Sequence, residues 1–302
     1  MFRSTRDASG PAGPPDARGE PTAPVVIGGR AGGGATGQAS PATGAGRAAL
    51  EPRPAIEIDD CYKAFGSNRV MNGLTLDFPE GHITTVLGPS GTGKSVLIKH
   101  ILGLMVPDAG DVRVFGRSVP DLDLPELLEL RREFGVLFQD GALFGSMNVF
   151  DNVAFPLRQH TSLPEDEIRR VVMDRLREVG LEAAATRMPG QISGGMRKRA
   201  GFARALVMEP KILLFDEPDS GLDPVRTSLL NDLIMAIHEH DGGTYLIVTH
   251  DISTAKKVAD HVALIWQGRS VYCGPAGQAF SSPDPFVRQF LAGDSAGPLG
   301  MD

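Results

Sequence analysis

A chain of 302 residues, 41% of them hydrophobic, is long enough to bury one substantial core. Its formal charge of -7 argues against nucleic acid as the main partner, because neutralising phosphates requires a concentrated basic surface. The only cysteines, Cys61 and Cys273, lie far apart, so they indicate neither a disulfide framework nor a zinc site and fit a reducing, cytosolic setting.

Residues 1–54 differ in composition from the rest of the chain. They are dominated by Gly, Ala, Pro, Ser and Thr, and Phe2 is their only aromatic residue. Such a segment buries too little apolar surface to offset the entropy of ordering it, which predicts a disordered tail. The sequence has no apolar run of the roughly 18–20 residues that a spanning helix needs, and its N-terminus lacks the apolar core of a secretory signal. We therefore expect any membrane attachment to depend on other subunits.

Residues 55–282 alternate between two kinds of pattern and are predicted to form the main domain. Short apolar runs bounded by turn residues predict buried strands, and longer segments with helical spacing predict helices. This alternation is typical of a largely parallel sheet flanked by helices, so we expect an α/β fold. The predicted strands are 55–58, 83–87, 134–138, 212–215 and 245–248, and the predicted helices are 124–132, 165–179, 196–207 and 226–240.

A glycine-rich loop follows the predicted strand 83–87 and leads into a helical run through Leu102. Its residues are Gly88, Pro89, Ser90, Gly91, Thr92, Gly93, Lys94 and Ser95, in the order that a P-loop requires. Glycines let backbone N–H groups turn toward phosphate oxygens, and the start of the helix adds the positive end of its dipole. We expect Lys94 to contact the β- and γ-phosphates and Ser95 to bind Mg²⁺. The loop predicts ATP or GTP binding, but it does not separate a kinase, a GTPase, a helicase and a transporter ATPase.

Two carboxylates follow the predicted strand 212–215. Asp216 and Glu217 stand at the carboxyl end of a buried strand, which is the edge where α/β sheets bind ligands. We expect Asp216 to help hold Mg²⁺ and Glu217 to act as the general base that polarises the attacking water.

Upstream of the carboxylates, residues 192–196 read ISGGM and precede the predicted helix 196–207. Ser193 and the backbone of Gly194 and Gly195 would present N–H groups and a helix dipole to an anion, which we expect to be a γ-phosphate. With this segment the chain resembles the ABC ATPase family, whose signature motif stands at the same place. The resemblance implies that the phosphate is bound to the P-loop of a second subunit, so that the active sites of a homodimer are composite. Ile192 and Met196 replace the usual Leu and Gln and leave Ser-Gly-Gly intact.

The same resemblance implies roles for four other residues. Gln139 would sense Mg²⁺ and the attacking water, Asp223 would cross the dimer interface, and His250 would contact the γ-phosphate. Phe65 would stack on adenine, although Tyr or Trp is more usual there. The implied architecture is a RecA-like P-loop core with a helical subdomain inserted at about 123–208 and a small antiparallel β subdomain.

Three stretches resemble the narrower group of Mla/Mce-type lipid transport ATPases: residues 139–160, 194–206 and 283–293. Residues 216–224, which read DEPDSGLDP, favour the Mce-associated branch, whose ATPases power the import of lipids or sterols. This implies integral membrane permease subunits and Mce-type lipid-binding proteins as partners, and a peripheral position at the cytoplasmic face of the cell membrane. The substrate class depends on this resemblance alone, because the ATPase does not touch the cargo.

Two further segments carry predictions of their own. Arg197, Lys198 and Arg199 are predicted to be a solvated or phosphate-facing helix surface with a structural role, and not a nucleic-acid site. In the C-terminal segment 283–302, the apolar residues between Phe286 and Leu291 share one helical face. We expect this face to dock, either on its own domain or on the partner ATPase.

Two rival classes are weighed against a transporter ATPase. A soluble ABC protein of DNA repair or translation usually carries paired cassettes or long coiled coils, and neither pattern occurs in this sequence. A small-molecule kinase would share the P-loop but would leave Ser193 and His250 without a role.

Overall fold

The computed structural model describes residues 53–89, 91–294 and 296–298. Ser90 and nearly all of the predicted tail 1–54 lie outside the described residues. The strands are β1 (Pro54–Phe65), β2 (Asn68–Pro79), β3 (Ile83–Leu87), β4 (Ala109–Val114), β5 (Arg117–Ser118), β6 (Phe134–Leu137), β7 (Ile212–Asp216), β8 (Thr244–Thr249), β9 (His261–Trp266) and β10 (Arg269–Pro275). The helices are α1 (Lys94–Ile101), α2 (Leu124–Arg131), α3 (Val149–His160), α4 (Glu165–Glu178), α5 (Gly194–Leu206), α6 (Pro224–Asp241), α7 (Ile252–Val258), α8 (Ala276–Phe280) and α9 (Pro285–Ala292).

A six-stranded sheet with the order β10-β9-β3-β8-β7-β6 forms the centre of the domain. The strands from β9 to β6 pair in parallel, and β10 pairs antiparallel with β9 at one edge. Strands β3 and β8 are buried along their whole length, as expected for parallel strands that are covered on both faces. The predicted α/β fold is therefore confirmed.

A second sheet has the order β2-β1-β4-β5 and is entirely antiparallel, in agreement with the expected small β subdomain. The predicted strand 55–58 is only the first part of the twelve-residue β1. Register shifts between Ile58 and Ala64 interrupt the simple alternation of side chains that a sequence pattern detects.

Helices α3, α4 and α5 share one hydrophobic core. Val153 of α3, Leu176 of α4 and Phe202 of α5 are fully buried in it. The predicted helices 165–179 and 196–207 are confirmed to within two residues, whereas α3 was not predicted. The segment 123–208 also contains β6, which belongs to the central sheet.

Helix α9 begins after Asp284, whose Oδ1 accepts hydrogen bonds from the backbone N–H groups of Phe286 and Val287. Val287 and Leu291 are buried together with Leu87 of β3. Val287 and Leu291 therefore pack on their own domain, whereas Phe286 of the same predicted face is 36% exposed. Within the described ranges, none of the helices is both long and apolar enough to cross a membrane.

Helix α5 approaches the segment after β6 through a close contact between two glycines. A Cβ atom placed on Gly201 would lie 2.8 Å from the carbonyl oxygen of Gly141 and 2.9 Å from Cδ1 of Leu137. A Cβ on Gly141 would lie 2.6 Å from the carbonyl oxygen of Arg197, and the φ of Gly141 is +77°. The backbones meet directly, so both positions require glycine.

Replacing Gly201 by Ala is expected to lower the free energy of unfolding by about 1–3 kcal/mol, the usual cost of overpacking. Alanine gains about 1 kcal/mol over glycine inside a helix, but that gain does not remove the collision with the backbone at Gly141. Urea unfolding measures the effect, with Gly277→Ala in α8 as the control, because nothing lies within 4 Å of a Cβ there. Equal stability of the two variants would contradict the prediction.

Candidate functional site

The glycine-rich loop starts at the carboxyl end of β3 and ends where Lys94 begins α1. A Cβ on Gly88 would lie 2.6 Å from the carbonyl oxygen of Ile265. One on Gly93 would lie 2.4 Å from Cγ1 of Val70, and the φ of Gly93 is +93°. The loop is therefore held against β9 and β2 in a form that only glycine allows at these two positions.

Lys94 lies inside this loop with only 5% of its surface exposed. Its Nζ donates to the carbonyl oxygens of Gly88 at 2.7 Å and Pro89 at 2.9 Å, and Thr92 Oγ1 also donates to the latter at 2.9 Å. Burial lowers the pKa of Lys94, while the nearby negative charges of Glu217 and Asp216 act in the opposite direction. A buried ammonium next to a glycine loop fits a triphosphate, because phosphate oxygens would add negative charge to that of the two carboxylates.

Ser95 and Asp216 bring two oxygen ligands together. Ser95 Oγ donates to Asp216 Oδ1 at 3.0 Å. Burial raises the pKa of Asp216; the hydrogen bond from Ser95 lowers it, and the charge of Glu217 raises it further. A divalent cation would favour the ionised carboxylate, and Mg²⁺ needs only one or two protein oxygens when phosphates and water complete its shell. The pair therefore fits Mg²⁺, although the described residues contain no group of three or more His, Cys, Asp or Glu that could hold a metal by themselves.

Replacing Asp216 by Asn is expected to stabilise the nucleotide-free protein by roughly 0.5–2 kcal/mol, the usual range of single stabilising substitutions, while removing Mg²⁺-dependent turnover. The carboxyl pKa is raised in the folded state, so keeping it ionised costs free energy above that pKa. The advantage of Asn should shrink as the pH falls and Asp216 takes up a proton. Thermal unfolding between pH 4 and pH 8 without nucleotide measures this, and a constant or reversed difference would contradict it.

Glu217 and His250 follow two neighbouring parallel strands, β7 and β8. The Nδ1 atom of His250 lies 3.6 Å from Oε1 of Glu217. The backbone N–H of Glu217 donates to the carbonyl oxygen of Val248 at 2.9 Å, and the φ of Glu217 is +49°. A left-handed conformation is uncommon for a residue other than glycine and is typical of functional sites. The fold thus directs the Glu217 carboxylate toward His250.

Gln139 lies two residues beyond the end of β6. Its Nε2 donates to Ser220 Oγ at 2.9 Å, which joins it to the loop that follows Glu217. Strands β3, β8, β7 and β6 are parallel neighbours, so the residues after them share one edge of the sheet. The structure therefore brings the phosphate loop, Glu217, His250 and Gln139 together.

Ser193, Gly194 and Gly195 lie at the start of α5, where a Cβ on Gly195 would lie 3.8 Å from Cδ2 of Leu222. Ser193 Oγ accepts a hydrogen bond from the backbone N–H of Met196 at 3.3 Å and caps the helix. Ser193 and Gly195 line a groove of about 400 Å³ between α5 and α6, and its lining residues include none from the phosphate loop.

Asp223 and Phe65 are both exposed. Asp223 Oδ1 accepts a hydrogen bond from the backbone N–H of Arg226 at 3.0 Å, so this residue caps α6. Phe65 ends β1 with 47% of its surface exposed. The same hairpin continues to Val70, which lies beside Gly93.

Sequence reasoning missed Lys198. The prediction of a solvated surface is wrong for this residue, which is 4% exposed and whose Nζ donates to the carbonyl oxygens of Pro218, at 2.7 Å, and of Ser220. Its neighbours act structurally as expected, since Arg197 Nη1 and Arg199 Nη1 donate to backbone carbonyls. Helical periodicity is the pattern that indicates this burial, because Lys198 shares a face with the buried Phe202, four residues further along α5.

A strand, a glycine loop around a buried lysine, and paired carboxylates at the end of a neighbouring strand define a P-loop nucleoside triphosphatase. Residues 71–220 match the sequence model of the ABC transporter family. The probable ribonucleotide transport ATP-binding protein mkl of Mycobacterium tuberculosis is 51% identical over 258 residues, covering 84% of this chain and 72% of that protein. The intermembrane phospholipid transport system ATP-binding protein MlaF of Escherichia coli K12 is 40% identical over 244 residues, covering 81% and 91%. The chain belongs to the ABC transporter family of ATP-binding subunits.

Solved structures agree with this assignment. CbiO1 from Clostridium perfringens, part of the ABC transporter complex cbiONQ, has a TM-score of 0.70 at 30% identity, with 76% of this chain and 92% of that chain covered. The ATP-binding cassette MJ0796, solved as a dimer bound to ADP and Pi, has a TM-score of 0.67 at 29% identity, with 73% and 98% covered. The chain is thus an ATP-binding ABC ATPase, of a family whose dimers pair with membrane permease components.

Proposed function

We propose that two copies of this chain share two ATP molecules in a sandwich dimer and drive a membrane permease that moves lipids. The observation that carries the proposal is the separation of the site into two halves. Gln139, Glu217 and His250 lie with the phosphate loop, whereas Ser193 opens a different groove. A second copy would bring its own Ser193 to the phosphates that one copy alone leaves open.

Each residue of the first half has a chemical task. The ammonium of Lys94 and the backbone N–H groups of the glycine loop bind the β- and γ-phosphates. Ser95, Asp216 and Gln139 would hold Mg²⁺, and the ion would orient the phosphates. Glu217 takes the proton of the attacking water, and His250, 3.6 Å away, orients the carboxylate and the γ-phosphate.

The remaining predicted residues bind the nucleotide at its two ends. The exposed ring of Phe65 stacks on adenine. Ser193, Gly194 and Gly195 of the other copy present the start of α5 to the γ-phosphate, and Asp223 crosses the interface. Bound ATP supplies the phosphoanhydride bond whose hydrolysis separates the two copies again.

Two exposed rings support a permease contact near Gln139. Phe138 and Phe144 are both more than one third exposed, although large apolar side chains are usually buried. Arg204 lies over the Phe144 ring at 5.8 Å and donates to the carbonyl oxygens of Gly141 and Ala142, which fixes this segment against α5. Movement of the segment would therefore follow movement of α5.

The cargo is proposed from the relatives. MlaF is named for phospholipid transport, and the resemblance of three stretches to Mla/Mce-type ATPases supports lipids or sterols. The mycobacterial relatives share more identity and are named for probable ribonucleotide transport, so ribonucleotides are the second candidate. The proposed partners are integral permease subunits and Mce-type lipid-binding proteins, with the ATPase at the cytoplasmic face of the membrane.

Gentle purification of the tagged chain from the membranes of its own host tests this proposal. We expect a permease and Mce-type proteins to co-purify, and mass spectrometry to find phospholipid or sterol in the complex. Recovery of a permease loaded with ribonucleotides would instead identify ribonucleotides as the cargo. Recovery of ribosomes or DNA instead of membrane proteins would contradict the transporter function.

A further inference from the structure

Lys198 links α5, the helix capped by Ser193, to the loop that follows Glu217. It lies on α5, and its buried ammonium donates to the carbonyl oxygens of Pro218 and Ser220. These two carbonyls flank Asp219. The ammonium therefore holds this loop from both sides of a single residue.

Asp219 is itself buried, with 6% of its surface exposed. Its Oδ2 accepts a hydrogen bond from Thr249 Oγ1 at 2.5 Å, while its Oδ1 accepts none within the described part of the chain. Thr249 ends β8, directly before His250, and its hydroxyl also accepts from the backbone N–H of Asp251 at 2.9 Å. The carboxylate thus joins the loop to the strand end that carries His250.

Both charges are costly in isolation, because an ionised group removed from water must be compensated by another charge or by hydrogen bonds. Burial lowers the pKa of Lys198, and Asp219 is the foremost of the carboxylates that oppose this shift, ahead of Asp140 and Glu217. The attraction acts through space, since the ammonium bonds to the carbonyls on either side of Asp219. Asp219 therefore helps to make the buried charge of Lys198 tolerable.

We propose that Lys198 and Asp219 form a buried pair of opposite charges that fixes the Glu217 loop between α5 and the end of β8. Both are positioning residues for hydrolysis, and this inference rests on the proposed role of Glu217. Because Ser193 caps the start of α5, a shift of that helix on meeting the nucleotide of the other copy moves the loop that follows Glu217. The pair connects one composite site with the other.

A double-mutant cycle tests the pair, using Lys198→Met, Asp219→Asn and the double variant. Lys211→Met is the matched control, because Lys211 is largely exposed. Lys198→Met should lower the unfolding temperature of the nucleotide-free chain by roughly 6 °C or more, since it leaves a buried charge without its partner. The double variant should recover at least half of that loss. In the complex purified with its membrane subunits, Lys198→Met should lower kcat about 10- to 100-fold and leave KM for ATP within about twofold.

Two results would overturn the inference. Additive losses in the double variant would show that the charges do not interact, and an unchanged kcat in folded Lys198→Met would remove the positioning role. If Lys198→Met fails to fold but the double variant folds, the result still supports the pair. If neither of these two variants folds while Asp219→Asn does, the result overturns the pair. Continued turnover in Glu217→Gln would instead contradict the proposed function and would not affect the unfolding cycle.

Discussion

Replacing Glu217 by Gln should lower kcat for ATP by roughly 10²- to 10⁴-fold and leave ATP binding intact. Glutamine has nearly the same size and keeps a side-chain oxygen near His250, but it cannot accept the proton of the attacking water. The carboxylate is not part of the phosphate loop, so the contacts of Lys94 with the phosphates should persist. Phosphate release and calorimetric titration with ATP measure the two effects separately.

The same variant should accumulate as an ATP-bound dimer on a sizing column, because the closed state persists while unhydrolysed γ-phosphates bridge the two copies. Glu239→Gln makes the same chemical change at an exposed position of α6 and should retain wild-type turnover. A Glu217→Gln protein that turns over at the wild-type rate would exclude Glu217 as the base. One that binds ATP and stays monomeric would argue against the sandwich.

The sequence predicts the catalytic edge of the sheet well because its signals are local. Strand β3 has the predicted bounds, and β7 and β8 differ from theirs by at most one residue at each end. Parallel pairing in register, such as Leu87 opposite Thr249, then brings the residues after these strands together. Buried apolar runs and the glycine loop contain this information without reference to the rest of the fold.

Features that depend on distant parts of the chain were missed. The length of β1 comes from pairing with both β2 and β4, which no pattern within residues 54–65 reveals. Helix α3 contains Pro156, which lowers the helical signal, and its start depends on the side chain of Asn148 accepting from the backbone N–H of Asp151. Helix α6 starts two residues before the prediction because Asp223 caps it and Pro224 fits its first turn.

The burial of Lys198 shows that a charged residue is not always exposed. A run of three basic residues resembles a solvated surface, but helical spacing rotates the middle one toward the core. Its partners, Pro218, Asp219 and Ser220, lie about twenty residues away, in a loop whose course depends on the whole sheet. Only the fold shows that this loop provides partners for the buried ammonium group of Lys198.

Ser193→Asp, introduced into the Glu217→Gln protein, should prevent formation of the ATP-bound dimer while leaving ATP affinity of the single chain unchanged. Aspartate caps a helix as well as serine does, so α5 should still begin at the same place. Its carboxylate, however, would face the γ-phosphate held by the other copy. Juxtaposed like charges cost several kcal/mol, which corresponds to a dimer weaker by about 100-fold or more.

Ser193→Asn in the same background is the matched control, because it keeps the cap and a similar size without the negative charge. Light scattering at a series of protein concentrations measures the dimer, and fluorescent ATP measures binding to the monomer. Loss of ATP affinity in both variants would mean that Ser193 serves the nucleotide of its own chain. An Asp variant that dimerises as well as the Asn variant would mean that no phosphate meets Ser193, because the two differ only in the charge presented at the start of α5.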